Sequence, residues 1–334
     1  MSTEKKISPN MSLEKWLNYW FDTYAFRAVK QSTAVSYKGY IKNHFVPHIG
    51  KIKLSKLNCD ILQKFYNRQL DEGSCGTRKG GLSAKTIRNM NIMLHKSLKK
   101  AMDLELINKN FAEMVELPKV KQPEMTVLTI EQQRKLMSEL KVTDEKLGIA
   151  TYISLATGLR IGEVCGLKWS DIDFQNNTIK VNRTLNRLMK LDDFGNSGTE
   201  IVVGDPKSDK SLRTIPFNDR FADTLKDYRK KSAEWLEKKP TDDDYLVSLK
   251  YGSPVEPKTV YTIFKRIAAN AGIVDCTFHS LRHTFATRAI EKNVDVKTLS
   301  VLLGHADVGT TLNRYAHVLD DQKRKTMDIL LEDF

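Results

Sequence analysis

Cysteine is scarce in this sequence, and long apolar runs are missing from it. The 334 residues include four cysteines, Cys59, Cys75, Cys165 and Cys276, with no short paired spacing. This argues against a disulfide framework and against a cysteine-based zinc site. No run approaches the roughly 18 apolar residues of a membrane-spanning helix, and "MSTEKKISPN" lacks the apolar stretch of a signal peptide. We therefore expect a cytoplasmic protein with reduced thiols and no membrane segment.

Negative charge is also under-represented. Lysine and arginine outnumber aspartate and glutamate 54 to 41, which gives a formal net charge of +13 and an isoelectric point near 9.4. This balance favours a polyanionic partner, although charge alone leaves open a basic protein with no nucleic-acid role. With 40% hydrophobic residues, the chain is long enough to bury two cores.

The first third of the chain predicts helices. The segment "SLEKWLNYWFDTYAF" places apolar residues at three- and four-residue spacings behind Ser12, a candidate N-cap. Three further helices are predicted: from about Ser32 to a point before Pro47, from Cys59 to Leu70, and from Ser83 onward.

A glycine-rich loop, "DEGSCGTRKGGLSA", separates the last two of these helices. Arg78 and Lys79 in this loop are candidates for contact with DNA phosphate, and a solvated loop with no contact is the alternative. Lys85 and Arg88, at the start of the following helix, are further DNA-binding candidates.

A linker interrupts the helical pattern at "ELPKVKQPEMTVLT", where two prolines bracket alternating charges. Thr129 followed by "IEQQ" then predicts a capped helix. The β-branched segments "NTIKVNRT", "TEIVVG" and "LRTIPF" predict strands inserted between helices. The sequence therefore predicts a mainly α protein with a small antiparallel β-sheet, divided into a helical first domain (1–117), a linker (118–127), a second domain (128–317) and a C-terminal tail (318–334).

Residues 279–320 crowd four histidines, three arginines and one tyrosine into an otherwise ordinary helical pattern. His279 and His283 have the i, i+4 spacing of a zinc site, but Ser280 stands where a zinc hydrolase carries its glutamate. A metal site is therefore not expected. His283 is predicted to be a core histidine on the apolar side of its helix, together with Phe285.

A phosphodiester substrate would account for the remaining groups, His279, Arg282, His305 and Tyr315. Guanidinium groups match the non-bridging oxygens of a transition-state phosphorus. Histidines can donate hydrogen bonds to these oxygens or move protons, and a tyrosine becomes a nucleophile where cations or a base favour its phenolate.

Candidates that would complete this set lie upstream. Arg160 follows a glycine turn at the start of a helix, and Glu163 lies on the same face, three residues on. Lys207 falls at the predicted turn of a β-hairpin, where a long ammonium arm could reach a 5′ oxygen. Lys210, three residues away, is the alternative to it.

Four segments, "TGLRIGEV", "HSLRHTFAT", "LLGHADVGTT" and "RYAHV", occur in the order typical of one family. Together they resemble the tyrosine recombinase (phage integrase) family, in particular integrases of phages and conjugative transposons of Gram-positive bacteria. "GGLSAKTIRNMNIMLHKSLKKAM" and "ELPKVKQPEM" are similar to the core-binding domain and linker of these integrases.

The resemblance implies a role for each candidate. Arg160 and Arg282 would clamp the scissile phosphate, and His305 would donate a hydrogen bond to it. His279 would assist proton transfer, and Glu163 would support the site without touching DNA. Lys207 would protonate the leaving 5′ hydroxyl, and Tyr315 would form a covalent 3′-phosphotyrosine.

The resemblance also implies a two-domain, C-shaped clamp on double-stranded DNA attachment sites, and a homo-tetramer that recombines them through a Holliday junction. Neither a cofactor nor a metal is implied, whereas an accessory DNA-bending or directionality factor is compatible with it. Many such integrases carry an additional N-terminal arm-binding domain, and whether it is naturally absent or removed is left open. The tail is expected to dock in trans through its apolar residues Met327, Ile329, Leu330, Leu331 and Phe334.

Three other functions stay open at this point. A chromosome-dimer-resolving recombinase and a type IB topoisomerase-like nicking-closing enzyme would use the same catalytic groups. A DNA-binding regulator without activity would explain the charge and the helices, but not six catalytic-type residues in family order.

Overall fold

The computed structural model describes residues 7–75, 80–120, 125–189, 198–204, 212–305, 307–312 and 314–316, together with Met327 and Leu331. The chain divides into two compact units. The first comprises Met1–Pro123 with Leu188–Gly198, and the second comprises Glu124–Arg187 with Thr199–Phe334.

The first unit is helical. Its α-helices are α1 (Leu13–Trp20), α2 (Gln31–Tyr40), α3 (Val46–Ile49), α4 (Cys59–Glu72) and α5 (Ala84–Asp103). The predicted cap at Ser12 is confirmed, because its hydroxyl accepts from the Lys15 amide, and the Ser83 hydroxyl likewise accepts from the Thr86 amide at the start of α5. The apolar face of α1, including Trp16 and Trp20, is buried in this unit's core.

The prediction that the second helix stops before Pro47 is wrong. The helical path continues from α2 through a π-helical turn, Ile41–Phe45, into α3, which contains Pro47. The π-helical turn changes the hydrogen-bond register just before Pro47, so the chain stays helical across a residue that has no amide hydrogen. A further π-helical turn, Phe21–Ala25, extends α1.

The second unit combines helices with short strands. Its helices are α6 (Ile130–Val142), α7 (Ile149–Thr157), α8 (Ile161–Gly166), α9 (Asp219–Leu236), α10 (Pro257–Asn270), α11 (Phe278–Glu291) and α12 (Val296–Leu303). Residues 308–312 and 314–316 are also helical. Thr129 caps α6 in a reciprocal capping box with Gln132, as predicted.

The strands form two small sheets. They are β1 (Ile172–Asp173), β2 (Thr178–Val181), β3 (Thr184–Met189), β4 (Thr199–Gly204) and β5 (Arg213–Pro216). Strands β1, β2 and β5 form one antiparallel sheet in that order, with Ile179 opposite Ile172 on one side and Ile215 on the other. Strands β3 and β4 pair separately.

The core of the second unit lies between these sheets and the helices. It includes Trp169 from a short 3-10 turn, Phe264 from α10 and Leu281 from α11. A smaller apolar cluster joins α11 and α12 to Tyr315. The predicted fold class, mainly α with a small antiparallel sheet, is confirmed. Among the described residues, no helix combines the length and the apolar character needed to cross a membrane.

Candidate active site

A left-handed glycine positions Arg160. Helix α7 ends at Gly158, whose φ is +70°, and a Cβ at this position would lie 2.6 Å from the Phe285 ring. Glycine is required there by both conformation and space. The chain then turns so that Arg160 opens α8, where its amide and its Nη1 each lie 2.9 Å from a Glu163 carboxylate oxygen.

Arg282 is held from the opposite side by backbone carbonyls. It is 1% exposed on α11, and it donates from Nη1 to the Gly158 carbonyl (2.7 Å) and from Nη2 to the Leu303 carbonyl (2.6 Å). Arg160 Nη1 donates to the same Leu303 carbonyl at 3.3 Å. The two guanidinium groups predicted to clamp a phosphate therefore converge on one point.

The proximity of these cations is visible in the pKa of Arg282. Burial, followed by the positive charge of Arg160, lowers this pKa to about 9. Arg282 is still a cation at neutral pH. An anion placed between the two guanidinium groups would relieve their mutual repulsion, which is the electrostatic condition for binding a phosphodiester.

Sequence reasoning missed Arg213, which lies at the centre of this site. Its side chain is 3% exposed, and Nη1 and Nη2 lie 3.2 and 2.9 Å from the two carboxylate oxygens of Glu163. Its Nε donates to the Leu302 carbonyl at 2.7 Å. The signal was present in "RTIP", because strand alternation places Arg213 on the same buried face as Ile215, and a buried arginine needs a partner.

Glu163 is thus shared between Arg213 and Arg160. Burial by itself would raise the pKa of this carboxyl group, but the hydrogen bonds and charges of the two arginines outweigh burial and hold its pKa below the ordinary value. Glu163 is therefore an anion that orients arginines, in agreement with the supporting position predicted from its spacing.

His305 follows directly on the turn that ends α12. This turn is closed by Gly304, with a φ of +61°, and His305 Nδ1 lies 2.7 Å from the Thr311 hydroxyl. Burial lowers the pKa of His305 to about 3, with further contributions from Arg282 and Arg160. The imidazole is therefore neutral at physiological pH, so one ring nitrogen carries a proton that can be donated.

The prediction that His283 is a core histidine is confirmed, because the residue is buried. The prediction did not include a polar partner, yet His283 Nδ1 lies 3.0 Å from the Tyr315 hydroxyl oxygen. Its ring also meets His279 edge to face, with 4.5 Å between centroids. Helical periodicity identified an inward-facing position, whereas the polar group facing it comes from a segment 32 residues further along the chain.

The two histidines are held neutral by their surroundings. His279 is exposed at one edge, yet the protein packed around its ring, followed by the charges of Arg282 and Arg314, lowers its pKa to about 4. The pKa of His283 is also about 4, chiefly because of burial and the neighbouring His279.

Tyr315 is 1% exposed. Its ring packs on Ala286 and Ile290 of α11 and on Leu299 and Leu303 of α12. Burial raises the pKa of its phenol, while the charges of Arg282 and Arg314 oppose that rise. The hydroxyl is therefore protonated at neutral pH, and the nearby cations would stabilise its phenolate.

Four of the predicted residues, Lys207 with its alternative Lys210 and the pair Arg78 and Lys79, lie outside the described residues. Lys85 and Arg88 are exposed on α5. Arg88 Nε donates to the Pro118 carbonyl at 2.8 Å, within the first unit.

The tail lies almost wholly outside the described residues. Of its members, Met327 and Leu331 are described, and both are exposed, at 52% and 60%. Within the described part of the chain, no group of three or more histidine, cysteine, aspartate or glutamate side chains is arranged to hold a metal ion.

Comparison with known proteins identifies the class of this site. The model of the "Phage integrase family" matches residues 126–322, which contain every catalytic candidate named above. The model "Phage integrase, N-terminal SAM-like domain" matches residues 12–70. The site and fold are those of a tyrosine recombinase, an enzyme that cleaves and rejoins DNA. The chain belongs to the phage integrase family.

Curated relatives extend over almost the whole chain. A "Tyrosine recombinase XerC-like" protein of Caldanaerobacter subterraneus subsp. tengcongensis is 28% identical over 325 residues, covering 92% of this chain and 81% of that protein. The "Integrase" of Staphylococcus phage L54a is 27% identical over 340 residues, covering 96% and 92% of the two chains.

Solved structures show the same fold. The Tn1549 transposon integrase in complex with transposon right end DNA has a TM-score of 0.77 at 24% identity, covering 96% of this chain and 100% of that one. A lambda integrase tetramer bound to a Holliday junction has a TM-score of 0.64 at 21% identity, covering 90% and 77%.

Proposed function

We propose that this protein is a site-specific recombinase that integrates or excises a mobile element through a covalent 3′-phosphotyrosine on Tyr315 and a Holliday junction. The observation that carries this proposal is the convergence of Arg160 and Arg282 on the Leu303 carbonyl, next to His305 and within electrostatic reach of Tyr315. Relatives that are integrases of phages and mobile elements support the mobile-element assignment.

In the proposed cleavage step, Arg160 and Arg282 hold the non-bridging oxygens of the scissile phosphate and stabilise the charge that develops there. His305 donates a hydrogen bond to the same phosphate, and His279 assists proton transfer. The Tyr315 oxygen attacks phosphorus, and the 5′ oxygen leaves with a proton from Lys207.

Rejoining is the reverse of this step with a different 5′ hydroxyl as the nucleophile. The bond energy is retained in the phosphotyrosine, so the reaction is isoenergetic and no nucleotide cofactor is needed. Glu163 keeps the guanidinium of Arg160 in place through both directions and does not contact DNA in this scheme.

The proposed DNA contacts include Arg78, Lys79, Lys85 and Arg88 of the first unit. Phosphate contacts by such residues would supply most of the affinity and a steep dependence on salt. Attachment-site sequence would be read by base contacts and by DNA deformability.

The proposed assembly is a homo-tetramer on two attachment sites, in the cytoplasm. The lambda integrase tetramer on a Holliday junction supports this by analogy of fold. The C-terminal tail would dock on a neighbouring protomer, and an accessory DNA-bending or directionality factor would bias integration against excision. We propose the domain limits 1–117, 118–127, 128–317 and 318–334 for variants that test these parts.

A nicked suicide duplex tests the nucleophile. The duplex carries the junction sequence between the element and its flanking DNA, and loss of a short strand after cleavage traps the covalent complex. Wild-type protein should form an adduct that survives boiling in detergent, forms in EDTA without ATP, and leaves a free 5′ hydroxyl.

Tyr315→Phe removes one oxygen and keeps the ring that packs on α11 and α12. It should bind the duplex normally and form no adduct. An adduct formed by Tyr315→Phe, or a wild-type reaction that requires magnesium, would contradict the proposal.

A further inference from the structure

The hydroxyl of Tyr315 lies close to a polar group on α11. His283 Nδ1 lies 3.0 Å from the hydroxyl oxygen, which is within hydrogen-bond distance. Among the described residues, no other side chain contacts this oxygen through a hydrogen bond. His279, which the resemblance assigns to proton transfer, contacts the ring of His283.

We propose that His283 is the proton acceptor for Tyr315 during strand cleavage and the proton donor to it during rejoining. This inference rests on the proposed role of Tyr315 as the nucleophile. As the bond from the tyrosine oxygen to phosphorus forms, the hydroxyl proton moves to His283 Nδ1 and the bond from phosphorus to the 5′ oxygen breaks. In rejoining, His283 returns the proton to Tyr315 as the phosphotyrosine bond breaks.

The position of His283 is fixed well enough for this role. It lies in the middle of α11, a 14-residue helix that also carries Arg282. The side chain is 9% exposed, and its ring is packed between His279 and Tyr315, with centroids 4.5 and 6.0 Å away. The helix that supplies the clamp thus also supplies the base, so a shift of the helix moves both together.

The protonation state of His283 is also suitable. The charged and titratable groups that face it are His279 and Arg282 from its own helix, and Arg314 and Tyr315 from the terminal helix. Together with burial, they keep the imidazole neutral, so it has a free lone pair to accept a proton.

A bound phosphate would strengthen this base. One of the cations that disfavour a charged His283 is Arg282, which belongs to the proposed phosphate clamp, and a phosphodiester adds a negative charge beside it. Binding of DNA should therefore raise the pKa of His283 from about 4 toward its ordinary value of 6.5, which brings the base closer to the range in which general-base catalysis is efficient.

His283→Asn provides the decisive variant. An asparagine amide occupies the position of Nδ1, so it can hydrogen-bond the tyrosine hydroxyl but cannot take up its proton at neutral pH. If His283 only positions the tyrosine, this variant should cleave at close to the wild-type rate. If His283 is the base, adduct formation should slow by about 10²-fold or more.

The experiment measures single-turnover adduct formation on the nicked duplex from pH 5.5 to 9.5, with saturating protein. The wild-type rate should rise with pH and reach a plateau, whereas the His283→Asn rate should keep rising tenfold per pH unit because solvent hydroxide must replace the base. Replacing the bridging 5′ oxygen with sulfur removes the need for an acid at the leaving group. It should not rescue His283→Asn, because this variant lacks the base that acts on the nucleophile.

Two controls separate catalysis from packing. Thr287→Val changes a buried polar side chain one turn further along α11, whose hydroxyl has no hydrogen-bond partner in the described structure, and it should leave the rate unchanged. His283→Phe fills the same space without an acceptor. Should His283→Asn unfold, the pH profile of His283→Phe gives the test, because loss of a base makes the rate rise tenfold per pH unit, whereas loss of positioning lowers the rate without changing the profile. Thermal unfolding and DNA binding are measured for each protein.

The proposal would be overturned if His283→Asn formed adduct at the wild-type rate and with the wild-type pH profile. It would also be overturned if a well-folded His283→Phe formed adduct at the wild-type rate. Faster cleavage in either variant would overturn it too, because the hydrogen bond would then restrain the tyrosine. These outcomes leave Tyr315 as nucleophile intact. An adduct formed by Tyr315→Phe would instead refute the nucleophile itself.

Discussion

Glu163 and Arg213 form a buried, two-pronged ion pair with nitrogen to oxygen distances of 2.9 and 3.2 Å. Both side chains are at most 5% exposed. The remaining cation on Glu163 is Arg160, which is 38% exposed and faces the proposed phosphate site. Arg213 therefore holds the Glu163 carboxylate in place, and Glu163 in turn orients Arg160, a proposed catalytic arginine.

Replacing Arg213 should destabilise the protein, because Glu163 would stay buried without its main ion-pair partner. Arg213→Met should lower the free energy of unfolding by about 3–5 kcal/mol, measured by chemical denaturation. Glu163→Gln in the Arg213→Met background should recover part of this loss, because the uncompensated charge is removed. A double variant as unstable as the sum of the two single variants would contradict this coupling.

The Gly304 turn should be sensitive to a single methyl group. Its φ is +61°, and a Cβ would lie 2.8 Å from Arg213 Nη1. Gly304→Ala should therefore cost more than the roughly 1–2 kcal/mol of a left-handed alanine and should slow adduct formation by displacing Arg213 and His305. Gly272→Ala is the matched control, since Gly272 has a φ of +74° and open space at its Cβ. Equal losses in the two variants would show that Arg213 accommodates the methyl group.

The guanidinium clamp should be specific for arginine. Arg160→Lys and Arg282→Lys keep the charge but lose the planar fork, so adduct formation should fall by about 10²-fold or more. Binding of the duplex should change only a few-fold, because many phosphate contacts supply the affinity. Arg220→Lys, an exposed arginine on α9, serves as the control. Wild-type cleavage by Arg282→Lys would argue against the clamp.

The leaving-group acid can be assigned with a sulfur substitution. Lys207→Ala should cleave an ordinary duplex poorly and a duplex with a bridging 5′ sulfur at close to the wild-type rate, because thiolate leaves without protonation. The arginine variants should not be rescued. Rescue confined to Lys210→Ala would move the acid three residues along the chain.

Acid should destabilise the second unit before its carboxylates are protonated. The pKa values of His283 and His305 in the folded protein, about 4 and about 3, lie below their ordinary value of 6.5. Between the folded-state pKa and 6.5, the unfolded chain therefore binds more protons than the folded protein. The stability that is present above pH 6.5 is lost as pH falls toward 4, and the loss is up to about 1.4 kcal/mol per pH unit for each histidine. His283→Phe should make the pH dependence shallower in urea unfolding between pH 4.5 and 7.5. An unchanged slope would contradict this prediction.

The sequence by itself determined much of the local structure and supplied the candidates for the reacting groups. Ser12 and Thr129 cap their helices as predicted, because a cap depends on a hydroxyl and an amide three residues away. The predicted helix end before Pro47 was wrong, because a π-helical turn changes the hydrogen-bond register there. A π-helical turn cannot be recognised from apolar spacing.

Only the tertiary structure decided which groups face one another. Helical periodicity predicted an inward position for His283, and strand alternation could have done so for Arg213, but an inward face does not specify its partner. His283 meets a tyrosine 32 residues away, and Arg213 meets a glutamate 50 residues away. The α7–α11 packing, the left-handed turns at Gly158 and Gly304, and the burial of Tyr315 bring these groups together. The sequence carries the chemical groups, and the hydrogen-bond partners and low exposure that set their pKa values exist only in the folded chain.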